Sequence, residues 1–452
     1  MTSKDRKNIE ELLFKIYPSN NYKDISFEEY IENSARIIEK LYSTLDGLSI
    51  KNISRRDWED LFEKYFACLP FSCRLLFYHT NHKSSGFWQY NIKEDYINSA
   101  NKWPDFSRSY YDHTKLEFNE NINKFITEIE SLPMDYEFYF PIHASNYFRL
   151  PIADDIYFSD DESCRNHHKE INHYAEHFIV IKCKGYVTPT INESHGFWNQ
   201  SCKIALQKFK EVIILMESLK LIEDGWEGRE FDQRYIVSAE RKAEGSSLFD
   251  ESLSTDIFGD TRFNNYLAHL NIDFTAFKKD NVFNILNKNT PNEERHSHRY
   301  TTLQKLIKLL SLSKYDDLTN NLKSACKWIF NSKIEEDQEV SLVMRWIAIE
   351  SLLGDDSKDR ILDKLSDRYS FLAGRNSKER NEMKKTFNKQ YGIRSAYVHG
   401  RSFAADRTSH DNDLSNNILE TILQKEIINM VSLFDTDFGN NCSIETSQNS
   451  TQ

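Results

Sequence analysis

Between residues 301 and 436 the apolar side chains return every three or four positions, and that period constrains the fold more than any other feature of the sequence. In "DQEVSLVMRWIAIESLLG", Leu342, Trp346, Ile349 and Leu353 step by four, three and four along one helix face, with Gly354 placed to end it. The next segment, "SKDRILDKLSDRYSFLAG", aligns Ile361, Leu365 and Leu372 between a capping Ser357 and a terminating Gly374. A third helix is expected over 377–400, and a fourth over 413–434, where Leu414, Ile418, Ile422, Ile427, Met430 and Phe434 keep register. With residues 300–332 these predict a bundle of about five helices.

Upstream, residues 5–69 carry helical periodicity in three pieces, one of them bounded by Ser26 as a cap and Gly47 as a stop. The aromatic-dense stretch 70–165 reads as short strands and ordered loops, 176–190 as a strand, 202–225 as a helix and 287–298 as a loop. Only 13 Gly and 8 Pro, against 28% charged residues, fit long helices with few turns. The fold class expected is mainly α: a C-terminal helical bundle over 301–436, preceded by an α+β N-terminal region over 1–300 that can be subdivided near 160. A disordered polar tail is expected over 437–452.

A net charge of -12 excludes a protein that coats nucleic acid nonspecifically, so any such contact must be local. Seven scattered cysteines (68, 73, 164, 183, 202, 326 and 442) form no disulfide framework and fit a reducing compartment. The N-terminal stretch has no signal-peptide core, and no run reaches the roughly 18 apolar residues of a membrane span, so the expected location is the cytoplasm, with no membrane partner. "CRNHHKEINHYAEH" offers Cys164, His167, His173 and His177 at spacings that allow zinc, but without a second Cys pair, and surface histidines are the preferred reading. No metal or other cofactor is expected. No phosphate-cradling Gly-rich loop or nucleophile elbow is present.

The segment "YGIRSAYVHG" places Arg394 and His399 five residues apart. That spacing alone is weak, because Arg74 and His79, Arg108 and His113, and Arg262 and His269 offer comparable separations. Two features set Arg394 and His399 apart. Stepping through Met383, Phe387, Tyr391 and Val398 puts Arg394 on the apolar stripe of its helix, where a guanidinium needs a partner or a cleft. His399 precedes Gly400, a helix stop, so its imidazole lies at the negative end of the helix dipole, suited to move a proton. Five helical residues turn the two side chains roughly 140° apart, so a long Arg, a frayed last turn or a second subunit must bring them to one atom. Residues 375–401 hold eight basic residues (Arg375, Lys378, Arg380, Lys384, Lys385, Lys389, Arg394, Arg401) against Glu379 and Glu382, which could guide a phosphate backbone or form a solvated face.

The ordered triple "RWIAIESLLG", "KLSDRYSFLAG" and "YGIRSAYVHG" resembles the HEPN superfamily, specifically its Apea-like branch, over about residues 315–436. The resemblance implies a helical-bundle, metal-independent endoribonuclease that works as a homodimer, two motifs facing one cleft. On that basis Arg394 and His399 match the catalytic pair, Glu350 the upstream acidic residue and Arg368 the mid-bundle Arg. Ser395 stands where family members often carry Asn, Asp or His. Arg401 replaces the tyrosine modified in some HEPN toxins, which counts against a nucleotidyltransferase antitoxin. Lys384, Lys385, Lys389 and Arg401 are the expected RNA contacts. RNA, with tRNA among the candidates, is the expected substrate. Antiphage defence by abortive infection is the expected setting, with a phage-derived trigger at the N-terminal region. The alternative is a noncatalytic HEPN module for nucleotide or RNA binding and dimerisation.

Overall fold

The computed structural model describes residues 1–16, 26–66, 108–144, 150–159, 177–187, 199–222, 237–242, 250–253, 262–263, 266–267, 270–272, 291–354, 361–399 and 405–448. The protein is mainly helical, with a C-terminal bundle preceded by an α+β region. By contact the chain forms two compact units: residues 1–137, 182–204 and 239–259, and residues 138–181, 205–238 and 260–452. That division falls elsewhere than at residue 300.

The first unit is built on α1 (Ser3–Ile16), α2 (Phe27–Asp46), α3 (Arg55–Phe66) and α4 (Arg108–Ser131). The Ser26 hydroxyl caps α2 by accepting the Glu29 N–H at 3.1 Å, and Gly47 closes the helix, as the sequence indicates. Helix α4 lies where strands and loops were expected. Phe118, Ile122, Phe125, Ile126 and Ile129 are buried at steps of four, three, one and three, a helical stripe that the surrounding aromatic residues obscure. They meet Leu13, Ile31, Leu41, Trp58, Phe62 and Phe66 in one core. At the start of α3, buried Asp57 accepts the Ser54 N–H and hydroxyl, both at 2.6 Å, and the Asn199 side-chain amide at 2.8 Å.

Strands β1 (Met134–Ala144), β2 (Leu150–Ala153), β3 (Ile156–Ser159), β4 (His177–Gly185), β5 (Ser238–Lys242), β6 (Asp250–Leu253) and β7 (Asn271–Ile272) form a sheet in the order β2-β3-β4-β1-β5-β6. Strand β7 pairs with β1 in parallel, His143 opposite Asn271. The strand expected over 176–190 is β4, and Ile156 to Ser159 pair against Phe178 to Ile181. Helix α5 (Gln200–Ser218) follows β4.

In the second unit, α6 (Pro291–Ser311), α7 (Asp316–Ile334), α8 (Gln338–Leu353), α9 (Ile361–Ala373), α10 (Ser377–Val398) and α11 (Ala405–Gln448) make the bundle. Helix α6 begins at Pro291, inside the segment expected to be a loop, because proline needs no N–H partner in the first turn. Residues 300–332, counted into a bundle of about five helices, hold parts of two helices separated by a 3₁₀ turn at Ser313–Tyr315, and among the described residues the bundle has six. Helix α11 runs to Gln448, into the span read as a disordered tail. Helix α7 packs on α8, α8 on α11, and α9 on α10. The predicted α8 face is buried, Leu342, Trp346 and Ile349 completely. Each such side chain contributes roughly 1.5–3 kcal/mol by leaving water. Ile361, expected on the inner stripe of α9, is exposed, and Tyr369 takes a core position beside Leu365. Residues 205–218 of α5 join this unit: Phe140 stacks on Phe209 at 4.3 Å, and the Lys210 ammonium donates to Asn331 Oδ1 at 2.7 Å.

Candidate functional site on helices α8 and α10

Helix α10 starts with a reciprocal cap. The Asn376 side-chain oxygen accepts the Glu379 N–H at 3.0 Å, and the Glu379 carboxylate accepts from Asn376 Nδ2 at 2.8 Å and from the Arg375 N–H at 2.9 Å. From there Phe387, Gln390, Ile393 and Tyr397 are buried against the bundle. The buried stripe is rotated from the expected one: it continues to Tyr397 in the last turn, while Met383 and Tyr391 are half-buried and Val398, expected on it, is 50% exposed. His399 caps the helix, its N–H donating to the Ser395 carbonyl at 3.2 Å, and its side chain is exposed. Gly400 and Arg401 lie outside the described residues.

Arg394 is half-buried and faces α8. Its Nη2 donates to Glu350 Oε2 at 3.2 Å and lies 3.0 Å from Oε1. Tyr391, one turn back, places its ring 5.5 Å from the guanidinium carbon, and the same ring meets Trp346 edge to face at 5.5 Å. A guanidinium and a carboxylate at this separation normally engage by two parallel hydrogen bonds. Here one nitrogen does the pairing, and Arg394 Nε and Glu350 Oε1 are both buried without a hydrogen bond. Burial raises the Glu350 carboxyl above its ordinary range, while Arg394 and then the Tyr391 hydroxyl pull it back. The pair is therefore held through one nitrogen, with the Arg394 Nε–H buried and unsatisfied.

The structure brings Glu350 to Arg394 and distributes the other predicted residues elsewhere. Arg368 donates to the Leu353 carbonyl at the end of α8, so its described contact is structural. Lys384 pairs with Asp367 of α9 at 2.6 Å. Lys385 and Lys389 are exposed, roughly 180° and 140° round the helix from Arg394 at 100° per residue. Ser395 is half-buried and supplies its carbonyl to His399. Of the rival pairs, Arg262 is engaged with Glu335 at 3.1 Å, Arg108 opens α4, and Arg74, His79 and His269 lie outside the described residues. Tyr391 belongs to the site and was legible only as a stripe position; its i, i+3 spacing to Arg394 is the signal.

Cys164, His167 and His173 lie outside the described residues, and His177 opens β4 in a buried position. No group of three metal-ligating side chains occurs among the described residues. Cys183, Cys202 and Cys326 are buried free thiols. Among the described residues no helix is long and apolar enough to cross a membrane. No family model, curated protein or solved structure matches the chain.

Proposed function

We propose that this chain is a metal-independent endoribonuclease. The observation that carries the reading is Arg394, kept half-buried by one-nitrogen pairing to Glu350 on the helix that ends in exposed His399. The resemblance of the α8, α9 and α10 sequences to Apea-like HEPN proteins supports it. In the reaction the 2′-hydroxyl of the RNA attacks the adjacent phosphorus, so a 2′-O–P bond forms as the P–O5′ bond breaks. His399 takes the proton of the attacking hydroxyl or returns one to the departing 5′ oxygen. Arg394 stabilises the charge that gathers on the phosphoryl oxygens, and Glu350 orients Arg394. A homodimer closes the angle between the two groups by setting an Arg394 against the His399 of a second copy. The protein acts in the cytoplasm in antiphage defence by abortive infection, and residues 1–300 restrain it until a phage-derived trigger arrives.

A second reading has its own support. Because Arg394 already has a carboxylate partner, a noncatalytic module for RNA or nucleotide binding and dimerisation needs no rearrangement of that pair. Product chemistry separates the two. Full-length protein in excess chelator, given one RNA oligonucleotide and its all-deoxy counterpart, should cut only the RNA and leave 2′,3′-cyclic phosphate and 5′-hydroxyl ends. Cutting of the deoxy strand, or 5′-phosphate products, contradicts the mechanism; absence of cutting favours the binding module.

A further inference from the structure

On the outer side of α9, Ile361, Lys364, Arg368 and Phe371 step by three, four and three, which sets them along one face. All four are exposed, and Phe371, at 65%, is the most exposed large apolar side chain among the described residues. The Arg380 guanidinium of α10 lies over its ring, 4.5 Å from the centroid, and its Nε donates to the Gly374 carbonyl at 3.1 Å. A Cβ at Gly374 would come within 2.6 Å of Arg380 Cγ, so the crossing of Arg380 depends on the absence of a side chain there. Arg375, also exposed, adds a fourth cation beside Lys364, Arg368 and Arg380. The acids on the two helices are partly engaged: Asp367 with Lys384, and Glu379 in the α10 cap, while Asp363 is exposed on α9.

An aromatic ring with one face on a guanidinium, set among lysine and arginine, has the chemistry of a single-stranded nucleic acid platform. Unpaired bases stack on such rings, and the cations meet the phosphates on either side. The cations around the ring favour a strand that carries a phosphate beside every base it stacks. We propose that the outer face of α9 binds single-stranded RNA, one base stacking on Phe371 and the flanking phosphates meeting Lys364 and Arg375. The proposal rests on RNA being the substrate and adds the strand form that is selected. Phe371 would bind the strand from α9, whereas Arg394 and Glu350 belong to α10 and α8.

The test is fluorescence anisotropy of full-length His399→Ala protein with labelled oligouridylate and with a blunt RNA duplex, across a salt series. Phe371→Ala should weaken oligouridylate binding about tenfold, with Phe371→Trp restoring it, and leave duplex binding unchanged. Its salt dependence should match the parent, whereas Lys364→Gln or Arg375→Gln should each lower the slope of log affinity against log salt by about 0.7. Thermal unfolding checks that each variant is folded, which the exposure of Phe371 favours. Equal oligouridylate binding by Phe371→Ala overturns the proposal. So does equal loss in the alanine and tryptophan variants, or an effect of Phe371→Ala on oligomeric state alone. Cleavage by the wild-type protein is read separately. RNA cutting without Phe371-dependent binding removes this proposal and leaves the nuclease, and Phe371-dependent binding without cutting does the reverse.

Discussion

Replacing Glu350 by glutamine tests what the Arg394 pair is for. At 3.0 Å and an effective dielectric of 20, the attraction of the two charges is about 5 kcal/mol. Taking both partly out of water costs several kcal/mol per ion, which offsets that attraction. The carboxyl itself gives the sign. Burial outweighs Arg394 and holds Glu350 above its ordinary range, so its surroundings disfavour the ionised form. The stability linked to this group is fully present below the ordinary glutamate range and is lost as pH rises through its raised folded value. Glutamine does not titrate. Glu350→Gln should therefore match or slightly exceed the wild-type bundle in stability near neutral pH, with the advantage shrinking as pH falls to about 4. RNA cleavage should meanwhile drop, because Arg394 is no longer oriented. Hydrogen exchange of α8 and α10 amides reads the local stability without contribution from the rest of a two-unit chain. A loss of about 3 kcal/mol or more near neutral pH would show that Arg394 without the carboxylate is an uncompensated buried charge, and the account of a weakly held pair would fail.

Three further substitutions probe the framework. Asp57→Asn turns an amide N–H₂ towards donors that now meet a carboxylate oxygen, and should destabilise the first unit by about 1–3 kcal/mol, measured by hydrogen exchange in α3. Gly374→Ala puts a methyl group 2.8 Å from the Ser370 carbonyl oxygen and closer still to Arg380. It should cost about 1–3 kcal/mol, seen as faster exchange in α9 and the first turn of α10. Ser26→Ala removes the α2 cap and should cost about 1 kcal/mol, seen as fraying confined to the first turn of α2.

Local rules were legible wherever one element decides its own ends and faces. Ser26 caps the start of α2, Gly47 and Gly354 stand at the ends of their helices, both at negative φ, and the Leu342, Trp346, Ile349 and Leu353 stripe is buried as spaced. The reading failed where neighbours decide. Dense aromatic residues hid the period of α4, and the short turn at Ser313–Tyr315 interrupts an apolar pattern that continues on both sides. The parallel pairing of β7 with β1 joins residues far apart in the chain, which no periodicity encodes. At the site, the stripe position of Arg394 called for a partner, but Glu350 is 44 residues away and meets it only because α8 packs beside α10. The basic run likewise looked uniform, yet Lys384 and Arg380 are turned towards α9 while Lys385 and Lys389 face solvent.

The most direct measurement is a double-mutant cycle on RNA cleavage with Arg394→Ala, His399→Ala and the double variant, each full-length and confirmed folded. If the two groups act on one phosphate, each single change should lower the rate by about 100-fold or more, and the double change little beyond the worse single one. Undiminished cutting by either folded single variant would contradict the account.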